Sequence, residues 1–239
     1  MVLRPLQQAL EVREVEAREQ ALLGRALARW ARQPQIELLG NPDPARRIAI
    51  VSFNLRDASG RYLHPKFCTA LLNDLFGIQS RAGCSCAGPY GHRLLDIDES
   101  TSDRYRDFVR QGFQGIKPGW CRVGFHYSMD DSDADYVIDA IEFVAGHGHR
   151  FLPLYDFDLA TGAWTHREFI ERHAPFSIET ALAADGCEHT ARPVAERAAL
   201  YAEYLAEARE LAATLGEPGT GRTEKLAETF GELGFFTAG

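Results

Sequence analysis

The chain has 239 residues, 34 acidic against 26 basic side chains, a net charge of −8 and an apolar share of 45%. That length holds one large domain or two small ones with ample material for a core, and the negative balance speaks against nucleic acid or an anionic membrane as partner. No apolar run reaches the roughly 18 residues of a membrane span, and the first residues, Met1-Val2-Leu3-Arg4-Pro5-Leu6-Gln7-Gln8, lack the apolar core of a signal peptide.

In chain order, residues 6–32 read as a long helix, because Leu6, Leu10, Val15, Leu22, Leu23, Leu27 and Trp30 fall close to helical spacing. Asn41-Pro42-Asp43-Pro44 is a firm break. Ile48 to Leu55 has strand composition, and the turn Asp57-Ala58-Ser59-Gly60 before Arg61-Tyr62-Leu63 predicts a hairpin. His64-Pro65 opens a helix that Gly77 closes, with proline in the first turn and glycine just past the end. A short strand is expected over Ile78 to Arg81. Ser100 with Asp103 reads as the cap of a helix reaching Phe113, and Trp120 to Tyr127 as a strand. Ser128 with Asp131 reads as the start of a helix ending at Gly146, and a β-ribbon is expected around Thr161-Gly162. From about 173 the composition turns alanine- and glutamate-rich. A helix over Pro193 to Leu215 is expected, with Leu200, Tyr204, Leu211 and Leu215 on its buried stripe, followed by a further short helix.

Two stretches carry chemistry. The first is Arg81-Ala82-Gly83-Cys84-Ser85-Cys86-Ala87-Gly88-Pro89, where a fixed cation and two thiols sit in a tight turn. A reactive cysteine needs exposure and nearby positive charge, which Arg81, His92 and Arg93 supply; the plain alternative is that Cys84 and Cys86 merely fill the turn. A metal reading would use Cys84, Cys86 and His92, but Cys-x-Cys is a weaker zinc signal than Cys-x-x-Cys and no fourth ligand stands at conventional spacing, so no metal is expected. The five cysteines (68, 84, 86, 121 and 187) are odd in number and irregular in spacing, which suits a reducing cytoplasm. The second stretch is Gly119-Trp120-Cys121-Arg122-Val123-Gly124-Phe125-His126-Tyr127. A strand arginine held by its sheet is suited to clamping a carboxylate through two parallel hydrogen bonds; a structural salt bridge is the alternative. His147 and His149 are expected at the surface, and His64 as a helix-capping neighbour of Pro65.

Taken in order, the helix holding Arg18-Glu19-Gln20-Ala21-Leu22-Leu23, the strand Ile48 to Asn54, the segment through Leu75-Phe76-Gly77-Ile78, the run Arg81-x-Gly-x-x-Cys86 and the strand Cys121-Arg122-Val123-x-Phe125 resemble the C-terminal part of class V aminotransferase-fold enzymes of the cysteine desulfurase and selenocysteine lyase type. The resemblance spans residues 10 to 170. It implies an α+β fold: a small antiparallel or mixed sheet with flanking helices, a linker helix over 1–44 and a small domain over 45–172; the helical extension over 173–239 is read from its composition alone. The resemblance also implies that Arg122 binds the α-carboxylate of an amino-acid substrate, that Arg81 stands beside it, and that Cys86 attacks sulfur or selenium.

The cofactor implied is pyridoxal 5'-phosphate (PLP), which needs a Schiff-base lysine and an acidic partner for its ring nitrogen. Lysine occurs only at 66, 117 and 225, each outside the family's lysine context, so the chain alone is not expected to bind PLP or to catalyse. The expected partner is a large PLP-binding domain, with transamination or C–S/C–Se cleavage as the reaction. The segment from Cys86 to Arg122 is distinctly longer than in typical desulfurases and is expected to bear on the site's mouth. The competing expectation is a non-enzymatic docking module, self-associating as a homodimer through Leu22, Leu27 and Trp30 exposed on the first helix.

Overall fold

The computed structural model describes residues 12–83, 88–170 and 192–239. Helix α1 (Val12–Trp30) leads into strand β1 (Ile36–Leu39). Strand β2 (Ile50–Leu55), the two-residue strand β3 (Tyr62–Leu63) and helix α2 (Pro65–Phe76) follow. Strand β4 (Arg81–Gly83) precedes helices α3 (Gly88–Leu94) and α4 (Glu99–Arg110), then strand β5 (Trp120–Gly124) and helix α5 (Asp131–His147). Strands β6 (Tyr155–Asp158) and β7 (Ala163–His166) form the ribbon expected around Thr161-Gly162. Helices α6 (Val194–Thr214) and α7 (Gly221–Phe230) and strand β8 (Phe236–Thr237) complete the described chain. The fold is α+β. No described helix is long and apolar enough to cross a membrane.

The central sheet has the order β1-β2-β5-β4, antiparallel throughout. Alternate side chains of a strand point to opposite faces, and one face carries Ile36, Val51, Phe53, Cys121 and Val123, all buried. Helices α1, α2 and α5 cover that face. Trp30 is its anchor. Its ring lies 5.8 Å from that of Phe53 and 5.9 Å from that of Phe125, while its indole N–H donates to the Ile138 carbonyl at 3.4 Å. Leu22, Leu27 and Trp30 are therefore covered by the chain's own α5 and sheet, and the self-association expected from their exposure loses its basis. Arg25 reaches Asp131 and Asp135, and Arg29 reaches Asp139 and Glu142, so the two helices are also joined by a ladder of ion pairs.

Several boundaries differ from the sequence reading for local reasons. β2 does not form a hairpin with Tyr62-Leu63: only Arg56 and Tyr62 make a bridge, β1 and β5 take the two edges of β2, and β3 pairs in parallel with β8. The strand before the cysteine loop starts at Arg81 rather than ending there. Helix α4 is capped by Asp98, whose carboxylate accepts from the Thr101 amide at 2.7 Å, not by Ser100 with Asp103. Helix α5 is capped by Asp130 in a reciprocal box with Asp133, two residues beyond the expected Ser128/Asp131 pair. In both cases an aspartate immediately before the helix takes the cap in place of the serine.

The buried stripe of α6 is Leu205, Ala208 and Ala212, not Leu200, Tyr204, Leu211 and Leu215. Alanines let α6 approach α5 closely, and Tyr201 stacks on Tyr136 with ring centroids 4.0 Å apart. His149 is buried against Glu217 at 3.2 Å rather than exposed, while His147 is exposed as expected. Residues 223–238 contribute Leu226, Phe230, Leu233 and Phe236 to the same core as the sheet. There Arg61 donates to the Gly234 carbonyl at 2.9 Å, and the hydroxyl of Thr237 donates to Asp57. Burial raises the Asp57 carboxyl, but hydrogen bonds from Ser59, Thr237 and Arg61 outweigh it and hold the group below its ordinary range.

One glycine carries the junction between the sheet end and the β6–β7 ribbon. Gly115 donates its amide to the Leu159 carbonyl at 2.8 Å, and a Cβ on it would stand 2.6 Å from the Phe157 ring and 2.9 Å from that same carbonyl oxygen. Gly115→Ala is expected to cost about 1–3 kcal/mol through overpacking, read as a lower midpoint in urea unfolding. An unchanged midpoint overturns this account of the junction.

Candidate functional site

The second face of the sheet is different in kind. Leu39, Ile50, Ser52, Trp120 and Arg122 line one crevice on it. β4 and β5 place Arg81 directly opposite Arg122, and β2 places Ser52 on the other side of Arg122. Residues opposed in register on an antiparallel pair share a face, with Cβ atoms about 4.5–5.5 Å apart. The sequence keeps Arg122 out of the core simply by alternation, because Cys121 and Val123 take the buried positions on either side.

Arg81 and Arg122 open into a cavity of about 370 Å³ whose other charged lining residues are Lys66 and Lys117. Among the described residues no aspartate or glutamate lines it. The rest of its wall includes His64, Gly83, Gln114 and Thr161. Four side chains from four places in the fold thus converge: β4, β5, the first turn of α2 and the loop before β5. Among the described residues none of the four makes an ion pair, while arginines 25, 29, 56, 104, 106, 110, 150, 167 and 197 all do. Lys66 is held by donating its ammonium to the Thr161 carbonyl at 2.8 Å. A neighbouring, more apolar cavity of about 430 Å³ shares Lys117 and Pro118 and is lined by Tyr105, Val109 and Trp120. Its walls come from α3 and α4, so the long segment before Arg122 does stand over this face of the sheet.

His64 builds the wall between cavity and core. It caps α2 through its imidazole, with Nδ1 accepting from the Lys66 amide at 3.2 Å, and Nε2 lies 3.0 Å from the Gly115 carbonyl. The carbonyl requires Nε2 to carry the hydrogen, which leaves Nδ1 as acceptor; both nitrogens are used and the ring is neutral. Burial lowers its pKa from 6.5 to about 3, although the Gly115 carbonyl opposes that shift. His64 is therefore a strut and not an acid or base at neutral pH.

Of the sequence-derived site residues, Arg81 and Arg122 are brought together on one face. Cys84 and Cys86 lie outside the described residues, though Gly83, just before them, lines the cavity. His92 faces the apolar cavity instead. The described cysteines are not nucleophiles: Cys68 and Cys121 are free and buried. The hydrogen bond with Cys68, together with burial, pushes the Cys121 thiol well above its ordinary range. Lys66 and Lys117 were missed as site residues, because neither sits in a local motif. The one available signal was scarcity, two of the chain's three lysines meeting in one cavity.

The four cations suit anionic groups, carboxylate or phosphate. PLP asks for more: an acidic partner for its ring nitrogen as well as a lysine. The described lining residues offer charges for anions. Among the described residues no group of histidine, cysteine and acidic side chains is arranged to hold a metal ion.

A family model described as Aminotransferase class-V matches residues 1–137, more than half of the 239 residues. No curated protein matches the chain at a significant level.

The geometry of His64 sets a pH response. Its folded pKa lies below that of an unfolded histidine, so between about 3 and 6.5 the unfolded chain holds the extra proton and stability drops as pH falls through that window. The slope from this one group approaches ~1.4 kcal/mol per pH unit. Asn supplies the same capping acceptor without titrating. Urea unfolding of His64→Asn is expected to show a shallower loss of stability below pH 6.5 than the parent; equal slopes overturn the assignment of a neutral buried ring.

Proposed function

The chain belongs to the class V aminotransferase family, which is PLP-dependent, and on that premise we propose that it is the small-domain lobe of such an enzyme, acting on an amino acid with Arg122 as the clamp for the α-carboxylate. The observation that carries this reading is the pairing of Arg122 with Arg81 across β5 and β4, in a cavity with no acidic residue among its described lining. Nine described arginines pair with a carboxylate, and Arg81 and Arg122 are among those that do not. Two arginines set opposite one another without any are arranged for a carboxylate that arrives from outside. A guanidinium fork gives that carboxylate two parallel hydrogen bonds, and the strand fixes its direction.

In this reading the Schiff-base lysine and the acidic partner of the pyridinium nitrogen come from a large domain, on a separate chain or on another part of a longer one. PLP withdraws electrons from the amino acid's α-carbon when bound there. The residues of this lobe bind the substrate's carboxylate and orient it; α3 and α4 narrow the approach. Cys86 is the proposed nucleophile toward a substrate sulfur or selenium, supported by the position of Gly83 at the cavity edge. Transamination needs the same carboxylate clamp without the thiol.

Borohydride reduction of the full chain in the presence of PLP, with peptide mapping of Lys66, Lys117 and Lys225, tests the lobe reading. Sub-stoichiometric label is expected. Stoichiometric label on one lysine overturns it and makes the chain a self-contained PLP protein.

A further inference from the structure

The cavity holds more positive charge than one carboxylate can answer. Two features beyond the arginine pair make this uncomfortable for the fold by itself. Like charges directly opposite one another on neighbouring strands are destabilising, and Arg81 and Arg122 are so placed. Lys66 is the second residue of α2, the positive end of the helix, where a cation opposes the helix dipole. Its ammonium is nevertheless held in place at that end by the Thr161 carbonyl. Lys117 adds a fourth charge from the loop before β5. Two of the three lysines in a chain of net charge −8 thus stand where no described acid meets them. The two kinds of cation also differ in what they recognise. Guanidinium forks match a planar carboxylate, whereas ammonium groups act as point charges toward any compact anion. At about 370 Å³ the space lies within the usual range of about 300–1,000 Å³ for small-molecule sites.

We propose that the cavity takes a substrate with two anionic groups: an α-carboxylate on Arg122 and Arg81, and a second anion, carboxylate or phosphate, at Lys66 and Lys117. This rests on the reading of Arg122 as the carboxylate clamp and adds the substrate class to it. The anion would bind near the first turn of α2, so that its charge meets Lys66 and the positive end of the helix together. The preferred amino acid is then acidic or phosphorylated in its side chain, and the apolar cavity walled by Tyr105 and Trp120 lies beside the path rather than receiving that group.

The test is calorimetric or NMR titration of the full chain with butyrate, glutarate and 3-phosphonopropionate, probes that share one carboxylate and differ at the far end. Glutarate or 3-phosphonopropionate is expected to bind at least tenfold tighter than butyrate. Whichever of the two binds tighter identifies the second anion as carboxylate or phosphate. The double variant K66M/K117M is expected to bring the tighter probe down to the level of butyrate. Lys225→Met, which removes one lysine charge outside the cavity lining, serves as control and leaves the difference intact. Arg122→Ala weakens all three probes. Equal binding of the three probes by the parent chain, or a dianion advantage that survives K66M/K117M, overturns the proposal while leaving the clamp untouched. Butyrate binding that is unchanged in Arg122→Ala overturns the clamp itself, and the two-anion proposal falls with it.

Discussion

The neutral imidazole of His64 is the joint on which this end of the molecule turns. Its two nitrogens bind two segments that are distant in sequence, the first turn of α2 and the loop at Gly115. Its ring packs edge-on against Phe236, 4.6 Å away, and near Phe157 and Trp164. One side chain thus ties the helix that bears Lys66, the loop that bears Lys117, the β6–β7 ribbon whose turn holds the Lys66 ammonium, and the C-terminal strand. A buried polar group with both nitrogens satisfied stabilises such a junction; either nitrogen left unpaired would cost more than the bond contributes. The wall of the cavity is consequently made of the same residues that close the core.

The sheet divides the chemistry. One face is aromatic and aliphatic and is sealed by Trp30 and the helices; the other carries Ser52, Arg81 and Arg122. Antiparallel register does the rest, since it sets the two arginines opposite each other whatever their mutual repulsion. The fold tolerates that repulsion because both groups reach solvent, where charges a few ångströms apart interact weakly. Burial by a ligand or a covering domain would strengthen every such interaction and favour an anion strongly. The positive cavity is therefore quiet in the open molecule and selective once covered.

The placement of α3 and α4 bears on access. They lie over the same face as Arg122, and Trp120 stands between the cavities on either side. Tyr105 contributes to that wall, its hydroxyl held protonated with a pKa raised to about 12, chiefly by burial and then by nearby Glu232. The segment of α3 and α4 is thus a boundary of the cavities on this face.

Much of this was legible in the chain. Helix α2 was set by Pro65 and Gly77, the alternation around Arg122 by β-strand period, and the order of segments placed the chain in its family, because these signals are local: a proline, a left-handed glycine with φ of 64°, a two-residue repeat. The N-caps of α4 and α5 slipped by a residue or two, since several Ser and Asp residues compete at each end and the winner depends on where the helix docks. Other features were decided only by tertiary structure. The parallel pairing of β3 with β8 joins residues far apart in the chain, and the stripe of α6 follows the close approach that Ala208 and Ala212 allow. Above all, the meeting of Lys66, Arg81, Lys117 and Arg122 has no sequence pattern, because each belongs to a different element. Sequence alone determined which residues could form helices, turns and a strand with an arginine on its outer face; the fold alone decided which charges would share one space, since that depends on strand register and helix docking and not on any neighbour along the chain.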